Sequence, residues 1–256
     1  MTGLAVELLA APDLPLMQRG DDLAGLIVAA FGRGGVALRS SDVVVVAQKI
    51  VSKAEGRAVN LVDVAPSPRA RRLAEEIGKD PRLVEVILSE SVRVVRTRPK
   101  LLIVEHRLGF VLANGGVDQS NVAEPDGTQQ VLLLPENPDA SAAALRDRLR
   151  ALTGATVAVV INDSFGRAWR IGTVGVAIGA AGLPALLDLR GQPDLFGRPL
   201  ETSVIGFADE IAAAASLLMG QAAEARPVVL VRGLDWSAPS APAASIVRPA
   251  QEDLFR

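Results

Sequence analysis

The chain has 256 residues, a formal net charge of -2, 49% hydrophobic residues and no cysteine. That length suits one large domain or two intimate lobes, and the near-neutral balance excludes a global pull toward nucleic acid or an anionic membrane. Disulfides, thiolate metal sites and cysteine nucleophiles are excluded, and with His106 the only histidine the chemistry must rest on carboxylates, hydroxyls, amides, lysine and arginine, which favours metal-assisted electrostatic catalysis.

Val6–Leu9 reads as a strand, followed by a loop at Pro12 and Pro15. The segment before it has no basic region and predicts no signal peptide. Asp21 or Asp22 can cap a helix to about Phe31, with Leu23, Leu26, Ile27 and Ala30 on one face. Asp42–Ala47, VVVV at its centre, is a buried strand, and Gln48, Lys49, Ser52 and Lys53 follow it at once. Ser67-Pro68 opens a helix that Gly78 closes, and Asp80-Pro81 opens another. Ser91–Arg96, Leu101–Glu105 and Phe110–Ala113 read as strands; His106 lies in the turn between the last two and is expected at the surface. Val131–Leu134 is a strand. Pro138–Leu152 is a helix stopped by Gly154, with Leu145, Leu149 and Leu152 inward.

The apolar run Val157–Ile161 is a further buried strand that ends in polar residues. Thr173–Leu187 is the most apolar window, yet it is too short for a bilayer span and is interrupted by glycines and Pro184. A short run at Ala185–Leu189, a strand over Glu201–Phe207, an alanine-rich helix over Ala208–Met219 and a strand at Val228–Val231 complete the pattern. From Asp235 proline, alanine and serine predict a loose tail. No repeat, Walker-type loop or dinucleotide fingerprint is present. Helices and strands mix without strict alternation. The predicted fold class is therefore α+β, with mixed sheets, flanking helices and two intimate lobes, and not a doubly wound Rossmann or P-loop fold. The expected organisation is a single unit over 1–234 with a tail over 235–256. The expected compartment is the cytoplasm.

Chemistry concentrates in a few stretches. Asn162, Asp163 and Ser164 end the strand that begins at Val157, and Gly166, Arg167, Arg170 and Gly172 follow. A carboxylate and a hydroxyl at a strand end can share a hard cation such as Mg²⁺, and arginines beside glycines suit an anion. A polar turn with surface arginines is the plainer alternative. In Asn114–Val122, NGGVDQSNV, Gly115-Gly116 permits unusual backbone angles, and Asp118, Gln119, Ser120 and Asn121 crowd oxygens into one loop; an Asx-rich turn would look the same. The lysines at 49 and 53 could contact phosphates or mark an ordinary solvated strand end.

Together these stretches resemble the coenzyme F420-0:L-glutamate ligase family. The resemblance is carried by LPL and GDDL within Leu14–Leu23, VVVVAQKIVSKAEGR at Val43–Arg57, NGGVDQSNV, and INDSFGRAWRIG at Ile161–Gly172. DLFGR at Asp194–Arg198, ADEIAAAASLLMGQ at Ala208–Gln221 and VVLVRGL at Val228–Leu234 complete the ordered set. The family resemblance implies addition of L-glutamate to coenzyme F420-0, and extension of the γ-glutamyl tail, with GTP as cosubstrate, Mg²⁺ or Mn²⁺, K⁺ as a further cation, and a homodimer. No nucleic-acid or membrane partner is implied. It makes Asp118 and Asp163 metal aspartates, Ser164 a neighbouring metal-binding hydroxyl, and Gln221 a residue near a second metal. Nucleotide contacts are implied for Lys53, Asn121, the segment Leu14, Pro15, Leu16 and Met17, and the segment Leu217, Leu218, Met219, Gly220, Gln221, Ala222, Ala223 and Glu224. Gln48 and Lys49 stand where some relatives carry small hydroxyl residues, and belong to the same nucleotide surface. Arg167 and Arg170 could steady transferred phosphate or a substrate carboxylate. Trp169, Phe165 and Phe196 are the aromatic candidates for stacking a deazaflavin. Some relatives carry a C-terminal flavin-binding domain, which this chain, ending at Arg256, is expected to lack. Two other readings use the same residues: a nucleotide-dependent ligase acting on another carboxylic acid, and a metal-dependent nucleotide-binding sensor without turnover.

Overall fold

The computed structural model describes residues 5–120 and 129–253. In chain order the first half forms β1 (Glu7–Ala10), α1 (Leu23–Arg33), β2 (Val43–Ala47), α2 (Gln48–Ala54), β3 (Ala58–Asn60), α3 (Pro68–Ile77) and α4 (Pro81–Ser89). Then come β4 (Ser91–Arg98), β5 (Leu101–His106), β6 (Val111–Ala113), β7 (Gln130–Leu132) and α5 (Pro138–Thr153). The rest is β8 (Ala158–Arg167), β9 (Arg170–Ala181), β10 (Leu187–Asp188), β11 (Val204–Ile205), α6 (Phe207–Met219) and β12 (Val228–Arg232).

The main sheet has the order β1-β12-β2-β8-β9 and is parallel only between β2 and β8. Both of its faces are covered, which is why its strands read as unbroken apolar runs rather than alternating ones. On one face Val44, Val46, Val159, Ile161 and Leu230 pack with Ile27 and Phe31 of α1 and Leu145 and Leu149 of α5. On the other, Val43, Val45, Val160, Val229 and Val231 pack with Ile211, Ala212 and Ala215 of α6. A separate core joins α3 and α4 to the β4-β5-β6 sheet and β7, through Ile77, Val84, Ile87, Leu102, Val104 and Val131. The fold is thus the expected mixed α+β arrangement in two packed lobes. Helix signals also hold: Asp22, Ser67 and Asp80 each accept a first-turn N–H, and Gly78 and Gly154 close α3 and α5 in left-handed conformation, while Asn137, not read as a cap from the sequence, caps α5.

Several expectations are corrected. The strand from Val157 does not stop at Asn162. It continues through Arg167 and forms a long antiparallel hairpin with β9. A β-bulge skips one β9 residue where Ile161 and Asn162 face Gly179 and Ala177, and such bulges commonly re-aim side chains near functional sites. Residues 48–54 are helical, a short element with no capping side chain to announce it. His106 is not at the surface: it is fully buried. Along β5 the inward positions are Leu102, Val104 and His106, so strand parity rather than turn chemistry decides its fate. Its Nδ1 accepts the Leu108 N–H at 3.1 Å, so a neutral ring carries its proton on Nε2, 3.5 Å from Glu90 Oε2. Leu152 faces outward, 42% exposed, one step past the buried stripe of α5. Nor is the tail loose where it is described. Ala243 is buried against the α6 face, and the Asp139 carboxylate accepts the N–H groups of Ala243 and Ala244 as well as that of Ala180 in β9.

Candidate functional site

The site forms where β2 gives way to α2. β8 runs parallel to β2 with Ala47 opposite Asn162, so the start of α2 emerges beside Asp163. From the other lobe comes the loop after β6. Asn114, Gly115 and Gly116 take successive φ values of 53, 62 and 68°, a left-handed run that two glycines make accessible. Asp118 is then pinned by two backbone hydrogen bonds to Leu132, its N–H donating at 2.9 Å and its carbonyl accepting at 2.8 Å.

Lys49 joins these parts. Its Nζ lies 2.8 Å from Asp118 Oδ2 and donates to Ser120 Oγ at 2.6 Å. Asp118 Oδ1 accepts the Ser120 N–H at 2.7 Å and its hydroxyl at 2.8 Å. Asp163 sits close enough to feel both charges. Burial, opposed by the Ser164 N–H 2.8 Å away and by Lys49 and reinforced by the Asp118 carboxylate, leaves its pKa pushed up to about 6. Lys53, one turn along α2, is lowered by burial and by Lys49, with Asp118 opposing. The fold therefore gathers two carboxylates and two ammonium groups from segments remote in sequence.

Among the described residues no group of three or more Asp, Glu or His side chains could hold a metal. The pair Asp118 and Asp163 is nevertheless a fitting host for Mg²⁺ or Mn²⁺. Its donors are all oxygen, and Mg²⁺ commonly takes one or two carboxylates and keeps several waters. Burial first, and the Asp118 carboxylate second, raise the Asp163 pKa, and a bound cation would offset both. The two lysines suit phosphate oxygens.

The other candidate residues are placed as follows. Met17 is buried in the same apolar cluster as Ile50 and Val51, while Leu16 is 88% exposed. The loop that holds Leu14 and Pro15 is tied to α2 by the Gly20 N–H on the Ala54 carbonyl, 2.8 Å. Gln48 is buried, its Oε1 accepting the Ser52 hydroxyl at 2.9 Å, so that oxygen is turned into the helix's own packing. Asn121 lies outside the described residues. The alternation of β8 turns the Ser164 side chain to the α6 face, away from Asp163; what it gives Asp163 is its N–H. Leu217 and the segment Gln221, Ala222, Ala223 and Glu224 are exposed, Met219 is buried, Gly220 is half-buried, and Leu218 is partly packed on α6's core. Pro227 accepts the Ala47 N–H at 2.8 Å, which brings that segment to the same end of the sheet, and among the described contacts none joins Gln221 to either aspartate. Arg167 and Arg170 face each other across the hairpin tip. Arg167 lies four residue steps along β8 from Asp163, roughly 13 Å at the rise of an extended strand. Phe165 packs edge-on against Phe110, centroids 5.5 Å apart, whereas Trp169 and Phe196 are each 87% exposed.

Asn162, in the same motif, has a role that residue type and spacing do not announce. It is buried, and its Nδ2 donates to Ser216 Oγ at 3.1 Å and approaches Met219 Sδ at 3.3 Å. It thereby fastens the end of α6 to the strand that carries Asp163. The available signal was parity: Asn162 continues the inward series of Ala158 and Val160 on the α6 face.

Paired carboxylates and lysines at one end of a mixed sheet are groups suited to cation- and phosphate-assisted chemistry. The family model described as F420-0:Gamma-glutamyl ligase matches residues 13–233. Proteins named coenzyme F420:L-glutamate ligase are similar along nearly their whole length. The one from Methanothermobacter thermautotrophicus is 44% identical over 255 residues, covering 99% of this chain and 100% of the relative. That from Methanopyrus kandleri is 48% identical, covering 93% and 92%, and that from Archaeoglobus fulgidus 43%, covering 99% and 97%. The chain belongs to the F420-0:gamma-glutamyl ligase family. Among the described residues, no helix is long and apolar enough to cross a membrane.

Proposed function

We propose that this chain is an amide-forming ligase that adds L-glutamate to coenzyme F420-0 and extends the γ-glutamyl tail, with GTP as cosubstrate. The observation that carries the reading is the convergence of Asp118, Asp163, Lys49 and Lys53 in a member of this family. A carboxylate does not form an amide until its oxygen becomes a leaving group. The γ-phosphoryl group therefore moves to the acceptor carboxylate, giving an acyl phosphate and GDP. The glutamate amine then attacks the acyl carbon, the bond to phosphate breaks, and inorganic phosphate and a proton leave. Such transfer depends on positioning and charge stabilisation, which lysines and carboxylates can supply without a histidine or cysteine nucleophile.

In this reading Asp118 and Asp163 hold Mg²⁺ or Mn²⁺, which when bound neutralises charge on phosphate oxygens. Lys49 and Lys53 hold phosphates, and the loop Leu14–Met17 lies along the same helix. The segment Leu217–Glu224 flanks this end of the sheet. The protein acts as a homodimer. Support for that comes from apolar side chains presented to solvent near the hairpin tip and the β10–β11 loop: Trp169 and Phe196 at 87%, Leu195 at 98% and Ile171 fully exposed at 103%. Arg167 and Arg170 belong to that protruding tip.

Incubating the protein with F420-0, glutamate, Mg²⁺ or Mn²⁺ and either GTP or ATP, followed by mass spectrometry, tests the reading. Glutamylated product with GTP and little with ATP is expected. Equal or better turnover with ATP removes the GTP assignment. Product with another carboxylic acid, and none with F420-0, moves the acceptor.

A further inference from the structure

We propose that Lys49 is a built-in competitor of the divalent cation: its ammonium holds the cation position on Asp118 in the free protein and is drawn off by the phosphates of the incoming nucleotide, so that metal and nucleotide bind cooperatively through it. The proposal rests on the reading that Asp118 and Asp163 form the metal site.

The first ground is occupancy. Asp118 Oδ2 is engaged by Lys49 Nζ at 2.8 Å, and Oδ1 by the N–H and hydroxyl of Ser120 at 2.7 and 2.8 Å. Ser120 Oγ, the next oxygen donor of the loop, faces the same ammonium at 2.6 Å. Both carboxylate oxygens and the adjacent hydroxyl are thus taken by the chain's own donors. A Mg²⁺ ion bonds oxygen at about 2.0–2.1 Å. Placed on Oδ2, it would share that oxygen with Nζ and lie within about 5 Å of it, and cations at such separation repel where water is partly excluded. Ion and ammonium exclude each other.

The second ground is where Lys49 can go. Its side chain is 29% exposed on a flexible stem, so leaving Asp118 needs no backbone change. Lys53 sits one turn further along α2, and a like charge at that spacing opposes a simple swing toward it. An arriving polyphosphate reverses that balance, because the two lysines can then share one anion. Lys49 passes to phosphate, Asp118 is released, and the cation enters. Linkage makes the effect reciprocal: whatever factor the nucleotide gives metal affinity, metal returns to nucleotide affinity.

Calorimetric titration of Mn²⁺ into the nucleotide-free full chain, for wild type, Lys49→Met, Lys53→Met and Asp118→Asn, decides it, with circular dichroism confirming each fold. Lys49→Met is expected to bind Mn²⁺ at least about tenfold tighter than wild type, within the usual range of site coupling. Lys53→Met removes the same charge without the contact and is expected to gain less than about threefold, as for a partly solvated charge. Asp118→Asn should bind no Mn²⁺. Equal affinity in wild type and Lys49→Met, with Asp118→Asn still silent, overturns the competitor role and leaves the metal site standing. A gain in Lys53→Met as large as in Lys49→Met overturns it too, since diffuse charge would then suffice. No Mn²⁺ binding in Lys49→Met overturns both this proposal and the metal reading beneath it.

Discussion

The catalytic reading turns at the residue scale on Asp118 and Asp163. Removing either carboxylate leaves the other to hold a strongly hydrated cation alone. Asp118→Asn and Asp163→Asn are each expected to lose most ligation, and the double variant to be scarcely worse, because residues that act as a unit are non-additive. Ligation assays on the three variants, each checked by thermal unfolding, measure this; near-wild-type activity in either single variant removes the paired-carboxylate mechanism. A second group of charges acts on stability instead. Burial tends to raise the pKa of Glu90, but His106, Arg107 and Arg57 outweigh it and hold it at about 2. Its partners lie at 3.0 Å (Arg57) and 3.2 Å (Arg107). The native pKa lies below the usual 4.5, so this stabilisation is full above pH 4.5 and is lost as the pH falls toward 2. From that shift, Glu90→Gln should cost about 2–3 kcal/mol at pH 7 and flatten the acid side of the stability curve between those limits, read by urea unfolding at stepped pH. An unchanged acid limb would show that Glu90 is not the titrating group. His106→Ala should likewise lower stability, by about 1–3 kcal/mol from lost packing and polar contacts, with activity per folded molecule retained. The histidine is a core residue that no proposed step requires.

At the scale of elements, the β8–β9 hairpin is held by close backbone approach. A methyl group at Gly179 would run into the Pro138 carbonyl at the start of α5. One at Gly175 would meet Ser216 and Asn162, the contact that fastens α6 to the Asp163 strand. Neither glycine has a positive φ, so space rather than conformation demands them. Gly179→Ala and Gly175→Ala are each expected to destabilise by about 1–3 kcal/mol through overpacking. Gly166, on the same hairpin, has nothing within 4 Å of an added Cβ, and Gly166→Ala should be close to neutral. Denaturant midpoints of the three variants separate close packing from a general need for glycine; a loss at Gly166 equal to the others would refute the packing account. The short α2 shows the opposite economy. It has no capping side chain, and its apolar residues Ile50 and Val51 anchor it to the core while Lys49 and Lys53 remain at the site.

For the whole molecule, the two lobes meet where the site forms, one bringing Asp118 and the other Asp163 and Lys49. The exposed hairpin tip stands apart from this junction. The proposed homodimer predicts that Trp169→Glu combined with Ile171→Glu shifts sedimentation at micromolar concentration from dimer toward monomer, with little change in unfolding temperature for side chains already exposed in the single chain. A wild-type protein that sediments only as monomer removes the dimer.

The chain's own pattern determined most of the elements. Continuous valine runs announced strands buried on both faces, and Ser67-Pro68, Gly78, Asp80-Pro81 and Gly154 marked helix ends, because caps and apolar runs are local devices. Asp118 and Asp163 were legible as oxygen-rich clusters after apolar runs. Their proximity was legible only through the family resemblance, which makes both metal aspartates; composition and spacing did not show it. It arises from the parallel register of β2 on β8 and from two backbone hydrogen bonds between Asp118 and Leu132, and contacts between residues so far apart leave no local trace. Only the tertiary structure set Lys49 on Asp118, sent the Ser164 hydroxyl to the other face, carried Arg167 and Arg170 to the hairpin tip, and buried His106 beside Glu90. Each of these outcomes depends on strand parity, register or a partner segment. Residue type and spacing state what a side chain can do; the packing of distant strands decides which side chains do it together.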